Sequence, residues 1–520
     1  MKSKEKNRQP FFYDVTLRDG NQALKKPWNI KEKEKVFNQL IQLGVQGIEV
    51  GFCNASKMDF DTSEHIAKLA PDHIVISGLA RALDEDIEVV WEAVKHAAKP
   101  RIHTFISTSA YNMENVLKKT PQQVLESAVR AIQSCSRVMG GKGDIQFSPE
   151  HFGDCKENLD FVIELILAVI EAGAGVINLP NTVERYRPSY FTDMVTKVVK
   201  SVGNKAVIAV HNHNDLGMAT ATTVESFFAG ATQLETTLIG LGERAGNTNI
   251  AEVACALYNC GVEMPINLEA IYEASIMVAE LANIPIPEKA PLIGADVIVH
   301  RSGIHQDGTI KTKSKSKGAY RGFDLSIIGR KETDRLGITS QSGKTAVFEI
   351  IKRAGLPITM DEATYLQPIL KKISEVKGEL ELALILETYE KEIFSVAGPL
   401  VFIDLHADHS RKSFDFKFSF NNEVMKVKGK GSGPVEACFN ALNNIGLKLH
   451  LLEYKQHGQD VEYKNFAAFA LSEIVLKSGV ENGNGKVVVA RAKDEDTVKA
   501  NVKAVFNGAN LLFRAGAKLS

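Results

Sequence analysis

From Phe11 to about Cys260, short runs rich in β-branched and aromatic residues alternate with longer amphipathic stretches. The short runs predict strands over Phe12–Leu17, Gly47–Phe52, Ile74–Leu79, Ile102–Ser107, Asp144–Ser148, Val176–Leu179, Val207–His211 and Gln233–Ile239. Helical spacing fills the intervals, as in Glu32–Leu43, Asp86–Ala98, Gln123–Met139, Leu159–Ala172, Ser189–Val202 and Ala219–Gly230. Strands alternating with helices imply parallel βα units. Eight such units in about 250 residues match a closed (β/α)8, or TIM, barrel. The competing doubly wound sheet carries a G-x-G-x-x-G turn after its first strand, and none follows here.

After Pro265 the pattern becomes helical, interrupted by an expected loop at Ser302-Gly-Ile-His-Gln-Asp-Gly308 and a basic run, Lys311–Lys317, expected to be solvated. From about Ala397 period-two strands return, at Phe414–Phe420 and Glu423–Gly429, then a helix near Val435–Asn443. The order repeats in Phe466–Leu476, Lys486–Ala492 and Asp494–Asn507, predicting a small α+β domain with internal pseudo-symmetry. It holds no cluster of catalytic residue types, which fits a regulatory or dimerisation module. The expected division is therefore a catalytic barrel over 1–264, a helical linker over 265–394 and a C-terminal regulatory α+β domain over 395–520.

Composition narrows the function. Lys plus Arg number 62 against 63 Asp plus Glu, so the bulk charge gives no reason to expect nucleic acid. The six cysteines show no C-x-x-C spacing and read as reduced thiols of a cytoplasmic protein. The polar first ten residues lack a signal-peptide core, and no apolar run reaches the roughly 18 residues of a membrane helix.

In a barrel the chemistry lies at the C-terminal ends of the strands. Polar residues gather there in series: Arg18 and Asp19, then Arg81, His103, Ser148 and Glu150, Thr182, His211 and His213, and finally Glu243 and Asn247. His211 and His213 are two apart in a strand and share one side. With Asp19, and with Asn247 as a weaker oxygen ligand, they suit a divalent metal; Mn, Mg, Zn, Co and Fe all remain open. The bland alternative is a pair of structural histidines. Arg18 beside a cation suits a 2-oxo acid, whose oxygens a metal chelates and whose developing negative charge a guanidinium stabilises. Its other reading is a salt bridge to a barrel carboxylate. His305 is suited to proton abstraction near neutral pH or is a plain exposed loop histidine. Gly240-Leu-Gly-Glu-Arg-Ala-Gly-Asn247 reads equally as an anion-binding turn and as a tight turn.

Together the motifs resemble the 2-isopropylmalate synthase branch of the metal-dependent aldolase-type barrel family. The resemblance rests on Leu17–Leu24, Gly47–Phe52, Arg101–Phe105, Asn178–Glu184, His211–Asp215, Gly240–Asn247 and Ser302–Gly308, and spans nearly the whole chain. It implies condensation of acetyl-CoA with 3-methyl-2-oxobutanoate, followed by thioester hydrolysis. It further implies metal ligation by Asp19, His211, His213 and Asn247, and catalytic parts for Arg18, His305 and Glu150. Gln22, His103, Ser148, Thr182 and Glu243 become substrate contacts, Thr182 toward the substrate carboxylate. A homodimer is implied, with the His305 segment reaching the partner's barrel, as is a C-terminal domain that senses leucine. Citramalate synthase, acting on pyruvate, is the alternative within the family. Homocitrate synthases carry a His-Gly-Lys run near strand four, which this chain lacks. One departure stands out: Glu332 occupies the place where some members have a tyrosine.

Overall fold

The structure, a computed structural model, describes residues 8–315, 318–408, 413–459, 469–479 and 485–517. Two compact units emerge, one of residues 1–298 with 321–333, the other of 299–320 with 334–520.

In the first unit eight parallel strands close into a barrel: β1 Phe11–Asp14, β2 Gly47–Gly51, β3 Val75–Arg81, β4 Lys99–Ser107, β5 Asp144–Glu150, β6 Val176–Asn181, β7 Val207–Asn212 and β8 Gln233–Thr236. β1 pairs with both β2 and β8, which closes the ring. Most strand positions are buried, because helices cover the outer face while side chains fill the interior. The helix stop signals behave as their chemistry requires. Asn29 and Thr120 form capping boxes, and Gly44 and Gly140 end their helices in the left-handed conformation.

Three expectations need correction. The first strand ends at Asp14, not Leu17; Thr16–Gly20 is a widened π-type turn begun by Thr16 N–H and Oγ1 donating to the Asp14 carboxylate at 2.8 and 3.0 Å. Helix Lys57–Leu69 was not foreseen, since its buried face is Thr62, Ser63, Ile66 and Ala67, half of it hydroxyl-bearing. The expected loop around His305 is a helix, Gly303–Thr312, and the basic run begins within it; residues 316–317 of that run lie outside the described residues.

The second unit holds two antiparallel three-stranded sheets. The first is Leu400–Asp408, Ser413–Phe420 and Glu423–Lys430, followed by helix Pro434–Asn444. The second is Leu449–Gln459, Phe469–Ser478 and Val487–Asp494, followed by helix Thr497–Arg514. The repeated order is thus present, although residues 466–468 of one expected strand lie outside the described residues. Among the described residues, no helix is long and apolar enough to cross a membrane.

Candidate active site

At the C-terminal mouth of the barrel lies a cavity of about 320 Å³. It gathers Arg18, Asp19, Gln22, His103, Ser148, Glu150, Thr182, His211, His213 and Glu243, side chains expected from the sequence on six separate strand ends. Phe52, Leu79, Phe105 and Pro180 supply an apolar part of the same lining.

The widened turn after β1 carries Arg18 and Asp19 inward. Arg18 is buried and contacts Glu49 through Nε and Asp19 through Nη1 at 3.2 Å. The salt-bridge reading of Arg18 and its cavity-facing position are therefore both true. Glu49, fully buried on β2, also receives His103 Nδ1 at 2.6 Å, while His103 Nε2 meets Ser148 Oγ at 2.7 Å. Burial pushes the Glu49 carboxyl up, but Arg18 and His103 outweigh it and hold it at about 2. Arg18 is correspondingly held above its ordinary value, because Glu49 and Asp19 outweigh the cost of burial.

His211 Nε2 lies 3.3 Å from Asp19 Oδ2 and 3.4 Å from His213 Nε2; His213 Nε2 is 3.9 Å from the same carboxylate oxygen. Ligand atoms of all three residues fall within 4.8 Å of one another. Behind them, Glu235 on β8 binds His211 Nδ1 at 2.9 Å, and Gln146 and Asn178 donate to Glu235 at 2.7 and 3.3 Å. Burial works against a charged His211, yet hydrogen bonds to Asp19 and Glu235 raise it to about 9. Burial and its charged neighbour His211 lower His213 to about 3. Burial likewise opposes ionisation of Asp19, but Arg18 and His211 drive its carboxyl far below the usual range.

This donor set fits a divalent cation. Asp19 Oδ1 and Asn247 Oδ1 are buried polar atoms with no hydrogen-bond partner among the described residues. Glu235 on the far nitrogen of His211 is the carboxylate–imidazole arrangement that orients a metal-binding histidine. Asn247 is not part of the cavity lining but pairs with His213 through a backbone bridge, and its amide donates to Leu241 O at 3.2 Å.

Other expected residues stand apart. Arg81 turns outward and binds Asp86 at 2.6 and 2.9 Å. His305 belongs to the second unit, its ring stacked on Tyr320 with centroids 4.0 Å apart. Glu332 accepts from Tyr272 Oη at 3.2 Å and from Arg330 Nε at 2.6 Å. The sequence reading missed Glu49 and Glu235 as site residues. Their signal was available, since a lone carboxylate in the middle of a fully buried strand must have a partner.

Comparison with known proteins follows the same two-part division. Residues 9–278 match the HMGL-like family, and residues 385–513 match the LeuA allosteric (dimerisation) domain. A 2-isopropylmalate synthase 2 of Leptospira interrogans is 58% identical over 375 residues, covering 72% of this chain and 88% of that one. The 2-isopropylmalate synthase of Sodalis glossinidius is 34% identical over 98% of this chain and 95% of its own. That of Carboxydothermus hydrogenoformans is 33% identical over 98% of both. The family matches cover both the barrel and the C-terminal domain, the full-length relatives match nearly the whole chain, and the chain belongs to the 2-isopropylmalate synthase family.

Proposed function

We propose that this chain joins acetyl-CoA to 3-methyl-2-oxobutanoate and then hydrolyses the thioester, giving 2-isopropylmalate for leucine synthesis. The observation that carries the reading is the convergence of Arg18 and the Asp19–His211–His213 cluster on one cavity with an apolar flank. Asp19, His211, His213 and Asn247 would hold the divalent cation. When bound, that cation supplies a Lewis acid to the 2-oxo acid.

The chain's own residues then have defined tasks. Thr182 receives the substrate carboxylate, and Gln22 and Glu243, joined at 3.3 Å, close the rim beside it. The branched alkyl group faces Leu79, Phe52 and Pro180, from which water is excluded. His103 and Ser148, already hydrogen-bonded to each other, form the polar wall, and Glu150 helps orient the reacting groups. His305 takes the proton from the acetyl methyl group, contributed by a second copy of the chain in a homodimer. Forming the new carbon–carbon bond breaks the keto π bond and leaves an alkoxide, whose negative charge Arg18 stabilises until a proton from water completes the tertiary alcohol. Because Glu49 and Asp19 hold the guanidinium in place beforehand, little reorganisation is needed at that moment. Water then cleaves the thioester and releases the CoA thiol.

The C-terminal domain is assigned leucine as effector and a part in dimerisation, on the strength of its LeuA-type match. The test is thiol release from acetyl-CoA with 3-methyl-2-oxobutanoate, pyruvate or 2-oxoglutarate, each with and without a chelator. Chelator-sensitive release greatest with 3-methyl-2-oxobutanoate is expected. Preference for pyruvate would reassign the substrate, and no release with metal supplied would overturn the reading.

A further inference from the structure

The two histidines of the cluster are held very differently. His211 is fixed from behind by Glu235, whereas His213 Nδ1 is buried without a hydrogen-bond partner among the described residues. The direction of the His213 ring therefore depends on its backbone, the segment 213–218 between β7 and helix Ala219–Ala229.

That segment is tied down from both sides. Asn214 N–H donates to Gly246 O at 2.9 Å, and Asp215 binds Arg244 at 2.8 Å through both Nε and Nη2. Arg244 Nη2 also donates to Thr182 O at 2.6 Å. From the β6 side, the Glu184 carboxylate accepts Leu216 N–H at 2.5 Å and Met218 N–H at 3.0 Å. Those N–H groups lie just ahead of the helix, where backbone donors lack intrahelical partners and a negative charge is favoured.

Glu184 is completely buried and has a φ of +38°, and Arg244 has a φ of +55°. Non-glycine residues in that region cost free energy and persist only where the surroundings impose them. Two such residues at the barrel mouth, both gripping the loops that bear Thr182 and His213, share one consequence. We propose that Glu184 is a positioning residue of the active site: its carboxylate locks the β7 loop so that His213 is aimed at the metal position with no partner on Nδ1 to hold the ring from behind. The inference rests on the metal assignment made above.

Two variants separate this role from general support of the fold. Glu184→Gln keeps one acceptor but presents an NH2 group to a backbone N–H. Glu184→Gly removes both acceptors while relieving the positive-φ strain, which offsets part of the cost of leaving those N–H groups unpaired. Mn²⁺ binding to the purified full-length chain, read from the loss of the free-ion electron paramagnetic resonance signal, needs no turnover. Both variants are expected to keep the wild-type thermal midpoint within a few degrees while Mn²⁺ affinity falls about tenfold or more. The fall is larger for Glu184→Gly. Wild-type Mn²⁺ affinity in both variants would overturn the proposal. Loss of affinity only in proportion to a collapse in thermal midpoint would also overturn it. If the wild-type chain itself binds no Mn²⁺, the metal assignment fails, and this proposal with it.

Discussion

Glu49 occupies the most consequential position at the scale of single residues. One oxygen faces Arg18 and the other His103, so a single buried carboxylate orients two groups of the substrate cavity. Glu49→Gln retains the shape but removes the charge that fixes the guanidinium. The expected result is a fall of about 100-fold in kcat, with a smaller change in KM for the 2-oxo acid. An unchanged kcat would remove Glu49 from the catalytic arrangement. Asp14, beneath the same turn, gives a prediction of opposite character. Burial raises its carboxyl from 3.8 to about 7, against the opposing hydrogen bonds of Thr16. A raised acid is more protonated folded than unfolded, so its contribution to stability is full below 3.8 and fades as pH climbs through 7. The difference corresponds to about 4 kcal/mol. Asp14→Asn should therefore gain stability relative to wild type between pH 5 and pH 8, as read from paired thermal midpoints. A gap that does not widen with pH would contradict this. What the sequence disclosed at this scale was the period-two pair His211 and His213 with Asp19, because same-strand geometry is local. Glu49 and Glu235 escaped because their partners sit on other strands, and pairing across a barrel depends on register that no local pattern carries.

At the scale of elements, strands and helices were most legible where one face is apolar and least so where polar atoms do structural work. The first strand gave way at Asp14 because its carboxylate captures the Thr16 N–H and starts the widened turn. That departure from regularity brings both Arg18 and Asp19 into the cavity. Gly303 and Gly308 suggested a loop around His305, yet both lie in a helix; a Cβ on Gly308 would meet the Tyr320 ring at 2.5 Å, so this glycine gives room rather than flexibility. Helix Lys57–Leu69 hides its core-facing side behind Thr62 and Ser63, leaving little hydrophobic period to detect. Its clearest sequence mark is Ser56, whose hydroxyl accepts Asp59 N–H at 3.1 Å as an N-cap. Ser56→Ala should cost about 1 kcal/mol, visible as a lower denaturation midpoint with unchanged thiol release at 25 °C. No loss of stability would mean that Asp59, which also binds Lys33 at 3.1 Å, suffices to anchor the turn.

At the scale of the molecule, the pseudo-repeat of the C-terminal sheets could be read from period-two patterning, but its attachment to the preceding helices could not. Leu471 belongs to the same buried cluster as Leu366, Leu370, Ile385 and Tyr389. Charged contacts reinforce the join: Arg491 reaches Glu362 at 3.0 Å, and Arg514 reaches Glu392 at 2.9 Å and Tyr365 Oη at 2.7 Å. Asn507 and Asn510 donate to Phe394 O and Val396 O, both at 2.9 Å, at the chain's entry into the first sheet. A chain ended at residue 394 would therefore expose apolar surface and strip several buried polar groups of partners, a costly combination. The barrel has a separate core, built from residues between Phe12 and Ile328. In a 1–394 chain, hydrogen exchange should quicken across helices Met360–Lys377 and Leu382–Tyr389 while the barrel strands keep their protection. Undiminished protection in those helices would show that they fold without the sheets. Accelerated exchange means that loss of a leucine response on truncation reports damage to the second unit as well as removal of an effector site. The regulatory assignment is then better judged on the intact chain, by whether leucine slows thiol release and protects amides within residues 400–514.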